Sequence, residues 1–127
     1  MSALQRTAEV EIYFKENWTD TPIHIPDSYP PFENNNFEKY IMLDVINDGS
    51  HLVGYNTPEY GYSYAKVTCY HKVKKLSIKL SDDVKTFFDN KELPQDIHVK
   101  DGQQYPTARL ENGYFCTVIQ FRVKQYS

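Results

Sequence analysis

The sequence lacks the features that mark a membrane-spanning protein, a disulfide scaffold or a phosphate-binding fold. No apolar run reaches the roughly 18 residues that a transmembrane helix needs, so no membrane partner is expected. Only two cysteines occur, Cys69 and Cys116, and each lies in a strand-like run far from the other. This spacing predicts neither a zinc site nor a disulfide, and we expect both thiols to be small buried hydrophobes. The five glycines are scattered, and no Gly-rich phosphate loop exists.

Length and composition predict a single globular domain over residues 1–127. Apolar residues make up 40% of the 127 positions and charged residues 24%, which is a globular composition. The first residues lack the apolar core and cleavage site of a secretory signal. We therefore expect a protein that is used in a cytoplasm, or built into an assembly made there.

The charge balance argues against tight duplex binding. The net charge is −3, from 17 acidic and 14 basic side chains, whereas sequence-independent nucleic-acid binding requires clustered cations. The sequence has one basic concentration, which we interpret as a solvated strand end: Lys72, Lys74, Lys75 and Lys79. A mildly acidic surface is still compatible with DNA sliding past it.

No catalytic arrangement stands out. No serine has the glycine spacing of a nucleophile elbow, and the four histidines, at positions 24, 51, 71 and 98, are far apart. Cys69 and His71 could place two metal ligands on one strand face, but a metal would need more from elsewhere. Asp44 is the single charge in a very apolar strand, so it is either outward-facing or paired. The sequence therefore predicts a protein that is not an enzyme and holds no metal or cofactor.

Aromatic residues are abundant. The chain has 11 tyrosines, 7 phenylalanines and one tryptophan, 15% of all residues. Tyrosine is enriched at protein interfaces, but it also favours strands, so part of this excess can be core. The segment 51–62, rich in glycine, proline and polar residues, is harder to explain as core. Its residues give a candidate protein interface: His51, Tyr55, Tyr60 and Tyr62.

Two helices are predicted. Residues 3–17 alternate as a strand would, yet two apolar stripes with a spacing of four also form a broad helix face. These stripes are Leu4, Ala8 and Ile12, and Val10, Phe14 and Trp18. A helix is favoured because no glycine or proline interrupts the segment. The second helix, 77–90, carries helically spaced apolar residues, and Ser77 is its candidate N-cap.

The strands are predicted from alternation and from turn chemistry. A short edge strand is expected at 23–25, a largely covered strand at 40–46 and a half-exposed strand at 62–73. Turn residues at 47–50 end the second of these. Two further runs, 96–100 and 105–110, lead to an Asn-Gly hairpin turn at 111–113 and a long strand at 114–126.

This order predicts an α+β fold. The elements run α-β-β-β-α-β-β, without the regular alternation of a parallel sheet. We expect a mainly antiparallel sheet of about four to five strands with two helices packed on it. The helices would cover one face of the sheet, and the other face must be wet or must meet a partner.

The chain resembles the tail terminator, or tail completion, proteins of long-tailed bacteriophages. The resemblance begins where the opening helix ends, in Trp18-Thr19-Asp20-Thr21-Pro22-Ile23. A proline-rich stretch with Asn34-Asn35-Asn36-Phe37 then leads into the aromatic-led strand 40–45. The strand 64–73, the helix 77–90 and a last strand ending in Phe121-Arg122-Val123 follow in the family's order, so the resemblance spans nearly the whole chain.

The resemblance implies a structural virion protein. Six copies would form a ring that caps the tail tube, stops its growth and offers a face to the head connector. The implied partners are other copies of the chain, the tail tube protein and the head–tail connector protein. The candidate interface at 51–62 would then contact a neighbouring subunit or the tube. DNA would cross the lumen without specific binding, and the protein would act in the virion tail after assembly in the host cytoplasm.

Other functions remain open at this level. A head–tail connector or a minor tail protein is the nearest alternative. A ligand-binding module is a second class, since tyrosine and tryptophan stack well on the apolar faces of sugars. A small enzyme is a third class, for which the sequence offers only His71, Cys69 and Asp44.

Overall fold

Two helices and a mixed sheet make up the part of the chain that the structure, a computed structural model, describes: residues 3–26, 37–51 and 60–125. The helices are α1 (Ala3–Asn17) and α2 (Lys74–Phe88). The strands are β1 (Ile23–His24), β2 (Lys39–His51), β3 (Tyr60–His71), β4 (Glu92–Leu93), β5 (Ile97–Gln104), β6 (Ala108–Arg109) and β7 (Phe115–Gln125). This confirms the predicted α+β class.

The sheet is larger than predicted. Its order is β1-β2-β3-β7-β5-β4, and β6 pairs with β7, so the described residues contain seven strands. The pair β1–β2 is parallel and the other pairs are antiparallel. The strand that sequence patterns missed, β4, has only two residues, and so short a strand shows no alternation.

Both helices pack on one face of the sheet. The core strands β2, β3 and β7 contribute alternate side chains to this face, as the pleat requires. Eight of these side chains are apolar and fully buried: Ile41, Leu43, Ala65, Val67, Cys69, Ile119, Phe121 and Val123. No helix in the described ranges is long and apolar enough to cross a membrane.

Only one of the two predicted stripes of α1 is buried. Val10, Phe14 and Trp18 reach the core, whereas Leu4 is 77% exposed and Ile12 is 45% exposed. The expectation of one broad apolar face was therefore wrong, although the helix itself is confirmed. The buried stripe continues toward the start of the helix with Arg6, a charged residue.

An aromatic cluster joins the helices to the sheet. The ring centroids of Phe14 and Phe88 are 4.6 Å apart, and those of Phe88 and Phe121 are 5.0 Å apart. Trp18 meets Phe87 edge-on at 5.1 Å, and its indole N–H donates a 2.8 Å hydrogen bond to Oγ1 of Thr21. The tryptophan thus anchors the turn from α1 to β1.

The turn predicted at 47–50 is wrong. Strand β2 continues to His51, and its pairing with β3 shifts register between Asn47 and Ser50. The residues with turn chemistry therefore lie at an irregularity within the strand. A β-bulge is an irregularity of this kind, in which one strand holds an extra residue.

The start of α2 also differs from the prediction. The helix begins at Lys74 after the N-cap residue Val73, whose side chain makes no capping hydrogen bond. Ser77 lies inside the helix and is fully buried. Its hydroxyl donates to the carbonyl of Cys69 at 2.9 Å and lies 2.9 Å from Oγ1 of Thr117, so it ties α2 to the sheet.

The C-terminal strands follow the prediction with shifted bounds. Strand β5 reaches Gln104, whereas the predicted run 105–110 is reduced to β6. The hairpin between β6 and β7 is confirmed: the amide of Leu110 donates to the carbonyl of Tyr114 at 2.7 Å. Gly113 has a φ of 90°, a conformation that favours glycine at this turn.

Candidate functional site

The predicted interface residues converge at one end of the sheet. Tyr55 lies outside the described residues. His51 ends β2 and Tyr60 begins β3, and the register pairs these two positions directly. Tyr62 follows two residues later, opposite Lys124 of β7. The backbone therefore brings three of the four predicted positions together at the end of the β2–β3 pair.

A buried polar network lies beside that end of the sheet. Nε of Arg6 donates to Oγ of Ser63 at 2.6 Å, and Nη1 of Arg6 donates to Oε1 of Gln125 at 3.4 Å. The hydroxyl of Ser63 in turn donates to Oδ1 of Asn47 at 2.6 Å, and the amide of Asn47 donates to Oγ1 of Thr7 at 3.1 Å. The network fixes the start of α1 to strands β2, β3 and β7.

Arg6 was not singled out by sequence reasoning. It is 1% exposed, and its burial lowers the pKa of the guanidinium. The available signal was its spacing of four from Val10 and of eight from Phe14, which places a cation in line with the apolar stripe. A buried cation requires hydrogen-bond acceptors, which Ser63 and Gln125 supply here.

The second face of the sheet carries no helix among the described residues. Alternation along β2, β3 and β7 places on it a mixture of apolar, aromatic and charged side chains that are mostly half-exposed. We call this the open face, defined by Tyr40, Met42, Asp44, Ile46, Tyr64, Lys66, Thr68, Tyr70, Cys116, Val118, Gln120, Arg122 and Lys124. Ile46 of β2 is 44% exposed, so this face carries an exposed aliphatic side chain.

One corner of the open face is a small aromatic core. The rings of Tyr40 and Tyr70 stack at 4.4 Å, and Tyr114 meets Tyr40 edge-on at 5.4 Å. The hydroxyl of Tyr114 donates to the carbonyl of Phe37, and burial raises the pKa of Tyr70 to about 12. Packing therefore explains these tyrosines, and they are not an exposed contact patch.

Cys69 and His71 do not form a metal site in the described ranges, where no group of three or more histidine, cysteine or acidic side chains could hold an ion. Cys69 is fully buried, and burial raises the pKa of its thiol. Nδ1 of His71 accepts a 3.0 Å hydrogen bond from the amide of Val73. Cys116 is half-buried on the opposite face of the sheet, so only Cys69 matches the expected buried thiol.

The remaining candidates are spread out. Asp44 lies on the open face opposite Lys66 of β3. Among the clustered lysines, Nζ of Lys72 lies 5.7 Å from the ring centre of Tyr114, and Lys79 pairs with Asp83 at 3.2 Å. These cations are already engaged in local contacts.

A polar cleft lies on the open face between β3, β7 and β5. It is lined by Tyr64, Asp101, Gln103, Tyr105, Gln120 and Arg122. Nη1 of Arg122 lies 3.4 Å from Oδ2 of Asp101, across one side of the cleft. Sequence reasoning missed this group because its members come from three strands that are distant in the chain.

No known family model matches this chain, and no curated protein matches it either. The resemblance to the tail terminators therefore rests on the residues and the element order described above. Of those residues, Trp18 is buried and anchors the turn that precedes β1. The carbonyl of Pro22, in the same segment, accepts a 3.1 Å hydrogen bond from the amide of Ile41 in β2.

Proposed function

We propose that this protein is a structural subunit of a ring that caps the tail tube of a long-tailed bacteriophage. The observation that carries the proposal is the one-sided sheet: helices cover one face, and the open face presents half-exposed side chains including Ile46. A sheet face that no helix covers and that carries aromatic and aliphatic side chains is a candidate surface for a partner.

A closed ring requires two different patches on each subunit. Such an interface is heterologous, because one patch of a subunit contacts another patch of its neighbour. The open face supplies one patch. The end of the β2–β3 pair, where His51, Tyr60 and Tyr62 converge, supplies a second patch that contacts either a neighbour or the tube.

The ring would be a hexamer with the tail tube protein on one side and the head–tail connector on the other. The net charge of −3 suits a lumen that DNA crosses without adhering, because clustered cations would bind its phosphates. The protein would act in the virion tail and would catalyse no reaction.

Native mass spectrometry of the full chain over a range of concentrations tests the proposal. Ile46→Lys places a charge on the open face, whereas Ile12→Lys is a matched control on α1, because the two isoleucines are 44% and 45% exposed. We expect a single closed oligomer for the wild type and for Ile12→Lys, and dissociation for Ile46→Lys. A wild type that stays monomeric, or two variants that behave alike, would contradict the proposal.

A further inference from the structure

We propose that the polar cleft on the open face binds a neutral saccharide. The cleft occupies ≈ 520 Å³, within the range of roughly 300–1,000 Å³ typical of small-molecule sites. Gln120 and Arg122 of β7 form its floor. It is bordered by Tyr64 of β3, by Asp101 and Gln103 of β5, and by Tyr105, which follows β5. This inference does not rest on the ring proposed above. Because Tyr64 pairs with Ile46 in the β2–β3 register, saccharide binding and a subunit contact at Ile46 would compete for this part of the open face.

An irregularity in β5 builds one wall of the cleft. The pairing of β5 with β7 shifts register between Lys100 and Gln103, and Asp101 adopts a φ of 57°. Gly102 then lies so close to Phe121 that an added Cβ would be 2.7 Å from Cε1 of the ring. Bulges of this kind re-aim side chains, and here the bulge directs the carboxylate of Asp101 toward Arg122.

The polar lining matches a ligand with many hydroxyl groups. A sugar hydroxyl both donates and accepts hydrogen bonds, so its site needs both functions side by side. Gln103 and Gln120 each offer an amide donor and a carbonyl acceptor, Asp101 offers acceptors and Arg122 offers donors. The opposite charges of Asp101 and Arg122 offset each other at 3.4 Å, which favours a neutral ligand over an anion or a cation.

Two tyrosines supply the apolar part of the site. Tyr64 borders the cleft from β3, and Tyr105, which is 39% exposed, borders it beyond the end of β5. An aromatic ring offers a flat apolar surface, and its hydroxyl adds a polar tip. The ring faces can cover the C–H face of a pyranose while the amides contact its hydroxyls.

Titration of the full chain with saccharides, followed by two-dimensional NMR, tests this inference. The probes are glucose, galactose, mannose, N-acetylglucosamine and chitobiose, with inorganic phosphate as a charged comparison. We expect saturable shifts for at least one neutral saccharide at millimolar concentration, centred on the amides of β5 and β7. Loss of a single hydrogen bond in Gln120→Ala should weaken binding roughly fivefold. Tyr105→Ala should weaken it by at least as much.

The matched control is Gln5→Ala, which removes an exposed glutamine from α1 on the opposite side of the sheet. It should leave the affinity unchanged. Thermal unfolding of each variant verifies that weaker binding does not result from a loss of folding. The inference is overturned if no neutral saccharide gives saturable shifts, if only phosphate binds, or if Gln120→Ala and Tyr105→Ala bind as the wild type does.

Discussion

Nε of Arg6 in α1 donates a 2.6 Å hydrogen bond to Oγ of Ser63 in β3, across 57 residues of sequence. Both side chains are buried. The hydroxyl of Ser63 donates a 2.6 Å hydrogen bond to Oδ1 of Asn47 in β2, so a single hydroxyl joins the first helix to two strands. The place at which they join lies next to the end of the β2–β3 pair that carries His51, Tyr60 and Tyr62.

Removing this hydroxyl should destabilise the fold. Ser63→Ala leaves Nε–H of the buried Arg6 without this acceptor, which costs about 1–3 kcal/mol. The free energy of unfolding from urea denaturation measures the loss. Thr7→Ala is the control, because Thr7 joins the same network from a more exposed position and should cost less. A Ser63→Ala protein as stable as the wild type would show that the network contributes nothing to folding.

The bulge in β5 should be intolerant of a side chain at Gly102. Gly102→Ala places Cβ 2.7 Å from a ring carbon of the fully buried Phe121, an overpacking that costs about 1–3 kcal/mol. Phe121→Leu removes the aromatic ring. In a double-mutant cycle measured by chemical denaturation, Gly102→Ala should therefore destabilise the Phe121→Leu protein less than it destabilises the wild type. If Gly102→Ala lowers the free energy of unfolding equally in both proteins, the contact with Phe121 is not the cause of the destabilisation.

Substitution of Gly113 should also destabilise the fold, but for a different reason. It has a φ of 90°, and nothing lies within 4 Å of an added Cβ, so the cost of Gly113→Ala is conformational and about 1 kcal/mol. Gly113→Asn should cost less, because asparagine adopts left-handed conformations more readily. Thermal unfolding of the two variants checks this order, and a Gly113→Asn protein less stable than Gly113→Ala would contradict it.

His71 should make stability depend on pH. Burial lowers the pKa of His71 below its ordinary value of 6.5, and its neutral Nδ1 accepts the amide proton of Val73. The unfolded state therefore binds more protons than the folded state just below pH 6.5, and the free energy of unfolding falls as the pH falls through this value.

His71→Asn provides the comparison for this pH dependence. The asparagine carbonyl can accept from the same amide but does not titrate, so the slope of stability between neutral and mildly acidic pH should be smaller in the variant. Urea denaturation at a series of pH values measures the slope. Equal slopes in the two proteins would assign the pH dependence to other groups.

Periodic elements were predictable from the sequence, and irregular ones were not. Helix α1 and strand β7 have long, consistent patterns, and both are present close to the expected bounds. The Asn47–Ser50 segment has turn chemistry, yet pairing with β3 keeps it in the sheet. Ser77 resembled an N-cap because serine is common there, but its hydroxyl bonds to Cys69 and Thr117 instead.

The candidate sites also divide into residues that could be grouped from the sequence and residues that only the fold brings together. Positions 51, 60 and 62 could be grouped in advance because they are close in the chain, and the backbone places them together. The cleft could not be anticipated, because Tyr64, Asp101 and Arg122 meet only through the strand order β3-β7-β5. Tertiary pairing, which no local pattern encodes, also creates the surroundings of Arg6.

The central claim is that the protein forms a ring on the end of a tail tube, and the lengths of growing tubes test it most directly. Tubes are polymerised from the tail tube protein of the same virus, with and without this protein, and imaged by negative-stain electron microscopy. We predict shorter tubes as the protein is added, with ring-shaped density at one end of each tube. An unchanged length distribution with bare ends on every tube would contradict the account.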